Sequence, residues 1–244
     1  MTKNSIAVGY ALTLVGASLN ADAATVVAVT GDTSISGGGA SLAYLENGAD
    51  AESYTSILAV GWTSSLSFAD VTITAQVSSN NPVGATGHAF LTTRIGTGAT
   101  LDNQVAATSF VFPAFGGIGG VFPNPVTLFT GLTLSAGTSY FLTIAPDSGF
   151  TAGWAYPFGS SGPIISSDDP GVVVRPGHYI FVHDFHGGPG PNSYTPASAF
   201  IYPNGGGGIY LNYAVTGNVV PEPSALALVA ISLAVLSRRY RETQ

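Results

Sequence analysis

An all-β fold, an antiparallel β-sandwich of jelly-roll type, is predicted by three features of this sequence. The stretch from Ala24 to Val220 is rich in Gly, Ser, Thr, Val and aromatic residues and poor in Lys, Glu and Gln, a bias against helix. Several segments alternate apolar and polar residues with a period of two. Turn formers punctuate those segments at short intervals.

Taken in order, Ala24–Thr30 is a β-prone apolar stretch closed by Gly31-Asp32, and Ser36–Ala40 reads as a glycine-rich loop. Tyr54 to Val60 is largely apolar, which predicts a strand buried on both faces and ending near Trp62, itself a core residue. Asp70–Val77 alternates most cleanly: Val71, Ile73, Ala75 and Val77 share one face, Thr72, Thr74 and Gln76 the other. Ser78-Ser79-Asn80-Asn81-Pro82 reads as a turn, with His88–Ile95 as the antiparallel partner beyond it.

Thr108–Phe112 is a further short strand, followed by a Gly- and Pro-rich loop from Phe115 to Pro125. Val126–Thr130 and Ser139–Ile144 are strands joined through Leu132, Leu134 and the Ala136-Gly137-Thr138 turn. The stretch from Tyr54 to Ile144 resembles extracytoplasmic β-sandwich modules of exported proteins, which implies an architecture and no activity. Strands are also placed at Trp154–Phe158 and Tyr179–Val182, in a region dense in glycine and proline. Ile209–Thr216 alternates again, with Ile209, Leu211, Tyr213 and Val215 on one face, and closes the sandwich.

The charge balance narrows the function. Only Arg94 and Arg175 are basic between Ala24 and Val220, against ten acids, a formal charge of −8. Such a body has no electrostatic footprint for nucleic acid or for anionic membranes. No cysteine is present, so stability rests on a hydrophobic core, which a chain of this length can build.

Few residues carry recognisable chemistry. His178, His183, Asp184 and His186 are a candidate zinc set, provided that a turn near Gly187-Gly188-Pro189 brings His183 and His186 to one side. Asp168-Asp169-Pro170-Gly171 contains oxygen ligands suited to calcium, but its spacing is that of an ordinary turn. A Gly-x-Ser-x-Gly elbow is absent, since Gly159-Ser160-Ser161-Gly162 has the wrong spacing, and so is a His-Glu-x-x-His helix. The scattered acids give no pair that stands out for glycosidase chemistry. Trp154 and Tyr156 are the candidate platform for a sugar ring, offering flat apolar faces with a polar handle.

The two ends of the chain are addresses. Lys3, the apolar stretch Ile6–Leu19 and Ala21-Asp22-Ala23 form a secretory signal peptide over residues 1–23, cut by signal peptidase before Ala24; an uncleaved anchor is the alternative. At the other end stand Pro221-Glu222-Pro223, an apolar run from Ala225 to Leu236, and the basic residues Arg238, Arg239 and Arg241. The prolines keep the motif extended, and the arginines stay cytoplasmic, acting as the membrane stop. Twelve residues of helix span about 18 Å against a hydrocarbon core of roughly 30 Å, so this short transmembrane helix suits a temporary stop.

That order of motif, apolar run and basic cluster closely resembles the PEP-CTERM sorting signal of Gram-negative bacteria. The resemblance implies cleavage near Pro221-Glu222-Pro223 by an exosortase, a membrane-embedded cysteine transpeptidase. It also implies delivery to the surface of a cell that makes extracellular polysaccharide. The expected layout is a signal peptide (1–23), a β-sandwich (24–218) and a sorting signal (219–244), with transient residence in the inner membrane. The expected role is that of a non-enzymatic cell-surface or matrix protein associated with polysaccharide, needing no cofactor. The rival expectation is a secreted hydrolase, either metal-dependent through His178, His183, Asp184 and His186 or carboxylate-based.

Overall fold

The computed structural model describes residues 23–31, 39–45, 54–79, 85–95, 99–114, 123–146, 151–156, 163–183, 199–201 and 210–221. These residues form strands β1 (Ala24–Thr30), β2 (Gly39–Leu45), β3 (Tyr54–Thr63), β4 (Ser67–Ala75) and β5 (Val77–Ser79). Next come β6 (Ala85–Thr92), a 3-10 turn at Leu101–Asn103, β7 (Gln104–Phe112), β8 (Val126–Leu134) and β9 (Ser139–Pro146). The last are β10 (Thr151–Ala155), β11 (Ile164–Ser166), β12 (Val173–His183), β13 (Ala199–Ile201) and β14 (Tyr213–Val220).

Two antiparallel sheets of unequal size share one core. The first has five strands in the order β11-β1-β14-β4-β8, with the last strand of the chain in the middle. The second forks at β3. One edge of β3 pairs with β12 along its length, while the other is shared by β2 at Tyr54–Ser56 and β9 at Leu58–Thr63. From there one arm runs β9-β6-β7 and the other β2-β10-β5. The arms meet again where Ser79 bridges Ala114 in parallel, so the second sheet curls rather than lying flat.

The core follows from the period of two. On β4, Val71, Ile73 and Ala75 are buried, while Thr72 and Thr74 between them are half-buried. Leu211, Tyr213 and Val215 repeat this on and before β14. These face Leu58, Val60 and Trp62 of β3 and Leu142 and Ile144 of β9 across the interior. The Trp62 ring lies 5.7 Å from Tyr213, joining the sheets, and 6.2 Å from Tyr140. Ala59, on the opposite side of β3, is also buried, so this strand is covered on both faces as its continuous apolar run predicts.

The structure corrects several sequence expectations. The strand containing His88 does not pair with β4; it is Ala85–Thr92, between β7 and β9. Gly39 and Ala40 belong to β2, and Ser78 and Ser79 belong to β5, where a loop and a turn were expected. Ala136–Thr138 makes no hairpin: β8 is in the first sheet and β9 in the second, so this turn arches between them, with Gly137 at φ +71°.

A β-bulge interrupts β4 at Asp70. Phe68 and Val71 oppose Leu134 and Leu132 of β8, and Ala69 and Thr72 oppose Asn218 and Thr216 of β14. On both sides β4 therefore carries one extra residue, and Asp70 absorbs it at φ 50°. Short polar side chains tolerate this left-handed conformation better than most. Beyond the bulge, Ser67–Ala69 form a short segment that holds the end of β14.

Candidate functional site

The most informative region is the pole where the chain enters and leaves the sandwich. β1 and β14 are antiparallel neighbours, and Ala24 pairs with Gly217. Ala24 is the first residue of β1 and also the residue with which the mature chain is expected to begin. β14 continues past Gly217, pairing Asn218, Val219 and Val220 with Ala69, Phe68 and Ser67 of β4. Pro221 follows at once and is exposed, so no linker separates the sheet from the proline motif. Both ends of the body thus leave from one pole.

The surrounding loops are tied together by hydrogen bonds. Gly137 N donates to Ser64 O at 2.8 Å, and Ala136 N donates to Ser67 Oγ at 3.0 Å. Ser135 N donates to the Tyr140 hydroxyl at 2.8 Å. Asp168 clamps the start of β1 from the side: Thr25 N donates to its Oδ2 at 2.7 Å, and its own N–H donates to Thr25 O at 2.8 Å.

Asp169 is the buried acid of this pole. Ser64 Oγ donates to its Oδ2 at 2.6 Å and Ser65 N donates to the same oxygen at 2.7 Å. Its Oδ1 accepts from Ser65 Oγ and, at 2.9 Å, from Gly171 N. Burial disfavours the charge, but the donors on Ser64, Ser65 and Gly171 outweigh it and bring the carboxyl down to about 2. Val172 N donates to Asp169 O at 3.1 Å, closing the turn over Pro170-Gly171 that the sequence predicts. These are structural bonds that pin one loop to another. Ser64 and Ser65 were not singled out in the sequence, because nothing local links them to an acid more than a hundred residues away.

A second polar node joins the sheets at the opposite pole. Gln76 N donates to Asn212 O (3.1 Å), Asn212 N to Ala155 O (2.8 Å), and Ala155 N to Gln76 O (2.9 Å). The Trp154 indole N–H donates to the same Asn212 O at 2.9 Å. Asn212 Nδ2 also reaches Gln76 Oε1 at 2.9 Å.

This geometry overturns the expected sugar platform. Trp154 is 0 % exposed and belongs to the core, so it presents no face to a ligand. Tyr156 is half-buried and packs against the same core.

The proposed metal set is divided. His178 and His183 lie on the same strand, opposite Ala59 and Tyr54 of β3. Five residues of strand separate their backbones by about 17 Å, too far for two imidazoles to share an ion held at about 2 Å. Asp184 and His186 lie outside the described residues. Among the described residues, no three His, Asp or Glu side chains form a group able to hold a metal.

The two body arginines are exposed. Arg175 lies over the Phe141 ring at 5.8 Å, with Nη2 3.4 Å from Ser139 Oγ. Of the processing motif, Pro221 is described and Glu222 and Pro223 are not. Arg238, Arg239 and Arg241, the apolar run and the signal peptide also lie outside the described residues. Among those that are described, no helix is long and apolar enough to cross a membrane.

Comparison with known families places one match on this pole. Residues 219–241 match the PEP-CTERM protein-sorting motif. Among curated proteins, none matches the chain. The motif marks an exosortase-targeted, exported protein, and its first two residues, Val219 and Val220, lie within β14.

Proposed function

We propose that the protein is a non-enzymatic component of the cell surface or extracellular matrix, released from its membrane tail by exosortase and associated there with polysaccharide. One observation carries this reading: the middle strand of an acidic β-sandwich runs without a linker into a sorting motif at residues 219–241. The polar groups at the motif's pole support a structural role, since Asp168 and Asp169 each tie one loop or strand to another. The body charge of −8 favours a neutral polysaccharide over a polyanion, which it would repel.

Co-sedimentation of the surface-extracted mature chain with the host's own extracellular polysaccharide tests the proposal. Retention with the polymer chemically unchanged is the expected result. A chain that stays in the supernatant overturns the polysaccharide association, and shortening of the polymer by the purified chain overturns the non-enzymatic role.

A further inference from the structure

We infer that the processing peptidase docks on the folded body itself, adding a strand to the open edge of β14 at Asn218–Val220. This rests on exosortase processing at the proline motif and goes beyond it by assigning the body a part in recognition. The sorting motif begins at Val219, whereas β14 runs to Val220, so the sheet and the motif share two residues.

Those residues are held extended from one side. They pair with Phe68 and Ser67 of β4, while pairing with β1 ends at Ala24 and Gly217. Once signal peptidase has cut before Ala24, β1 has no residues left to cover the other edge, and among the described residues no other strand pairs there. The first processing event therefore defines the edge used by the second. Val219 and Val220 are 45 % and 39 % exposed, and successive strand residues project to opposite faces.

An extended segment with a free edge is the form in which strand-adding partners bind: main-chain hydrogen bonds supply affinity, and alternate side chains supply specificity. A peptide in a flexible tail must first be ordered at an entropic cost, whereas here the sheet has already ordered it. The absent linker has the same meaning. An enzyme reaching Pro221 must meet the pole of the sandwich, because Val220 is still paired with Ser67 when Pro221 begins.

Two insertions in the full-length chain, expressed in its native host, test the inference. Gly-Ser-Gly-Ser placed between Val220 and Pro221 separates the motif from the sheet. The same insert between Gly217 and Asn218 keeps Asn218 to Pro223 contiguous but frees it from the body. Conversion to the mature form is followed by pulse-chase and mass spectrometry, with limited proteolysis showing that the body is folded. Both insertions are expected to slow conversion about tenfold, the factor carried by one or two net backbone hydrogen bonds. A wild-type rate for the second insertion means that contiguous sequence suffices and overturns the inference, as do wild-type rates for both. If the wild-type chain is itself never cleaved, exosortase processing fails, and the inference fails with it.

Discussion

Asp169 Oδ2 accepts a 2.6 Å hydrogen bond from Ser64 Oγ across 105 residues of sequence, fastening the turn before β12 to the loop after β3. Its carboxyl titrates at about 2, below the ordinary 3.8, so folding favours the ionised form. The resulting stability is fully present above pH 3.8 and is lost as the pH falls through about 2. Thermal melts of the mature chain should show this loss in that window. Asp169→Asn places an amide N–H₂ among these donors, and should lower stability at neutral pH by about 1–3 kcal/mol while flattening the acid-side slope.

Trp154→Phe removes an indole N–H that reaches Asn212 O and leaves a gap in a fully buried site. The expected cost is about 2–4 kcal/mol, read from denaturant midpoints. Polysaccharide retention by the folded variant should equal that of wild type. A selective loss of retention with stability intact would contradict the buried role.

Asp70 stands at φ 50° in the bulge of β4. Asp70→Gly should be tolerated within about 1 kcal/mol, because glycine adopts this conformation freely. Asp70→Val should cost about 1–2 kcal/mol through backbone strain. Amide hydrogen exchange should show that loss concentrated in Ser67–Ala69 and Asn218–Val220, the segments beyond the bulge.

Replacing Pro221 and Pro223 together with alanine removes two fixed φ angles and restores two backbone N–H groups to the motif. The double variant should accumulate in the inner membrane with residues Ala225–Gln244 attached, as intact-mass measurement of membrane and surface fractions would show. Wild-type material at the surface should end near Pro221. Intact protein carrying Arg238 to Gln244 at its final location would contradict this processing.

Alternation of residue type made the strands legible, because a period of two fixes which face each residue takes. Val71, Ile73 and Val215 reach the core for that reason. Neighbours are a different matter. Nothing in His88–Thr92 says that its partners are β7 and β9 rather than β4, since several strands offer compatible faces. The bulge at Asp70 escaped the pattern because one inserted residue leaves the alternation from Val71 onward intact. Trp154 was misread because its glycine- and proline-rich neighbourhood resembles a loop, whereas its burial depends on Asn212, 58 residues further on. The sorting motif was legible in full because its parts are contiguous. Its overlap with β14 required the sheet register to be seen.

The shared pole of Ala24 and Gly217 has a mechanical consequence. A body whose two ends leave side by side hangs as a pendant from its attachment point and cannot serve as a link in a tensile chain. Whatever is joined near Pro221 pulls through β14, the middle of five strands, along the strand axis. Opposed by drag on the far side of the sandwich, that force must shear the hydrogen bonds to β1 and β4 together instead of peeling a strand from an edge. Attachment near Pro221 would therefore load this sheet where it resists traction best.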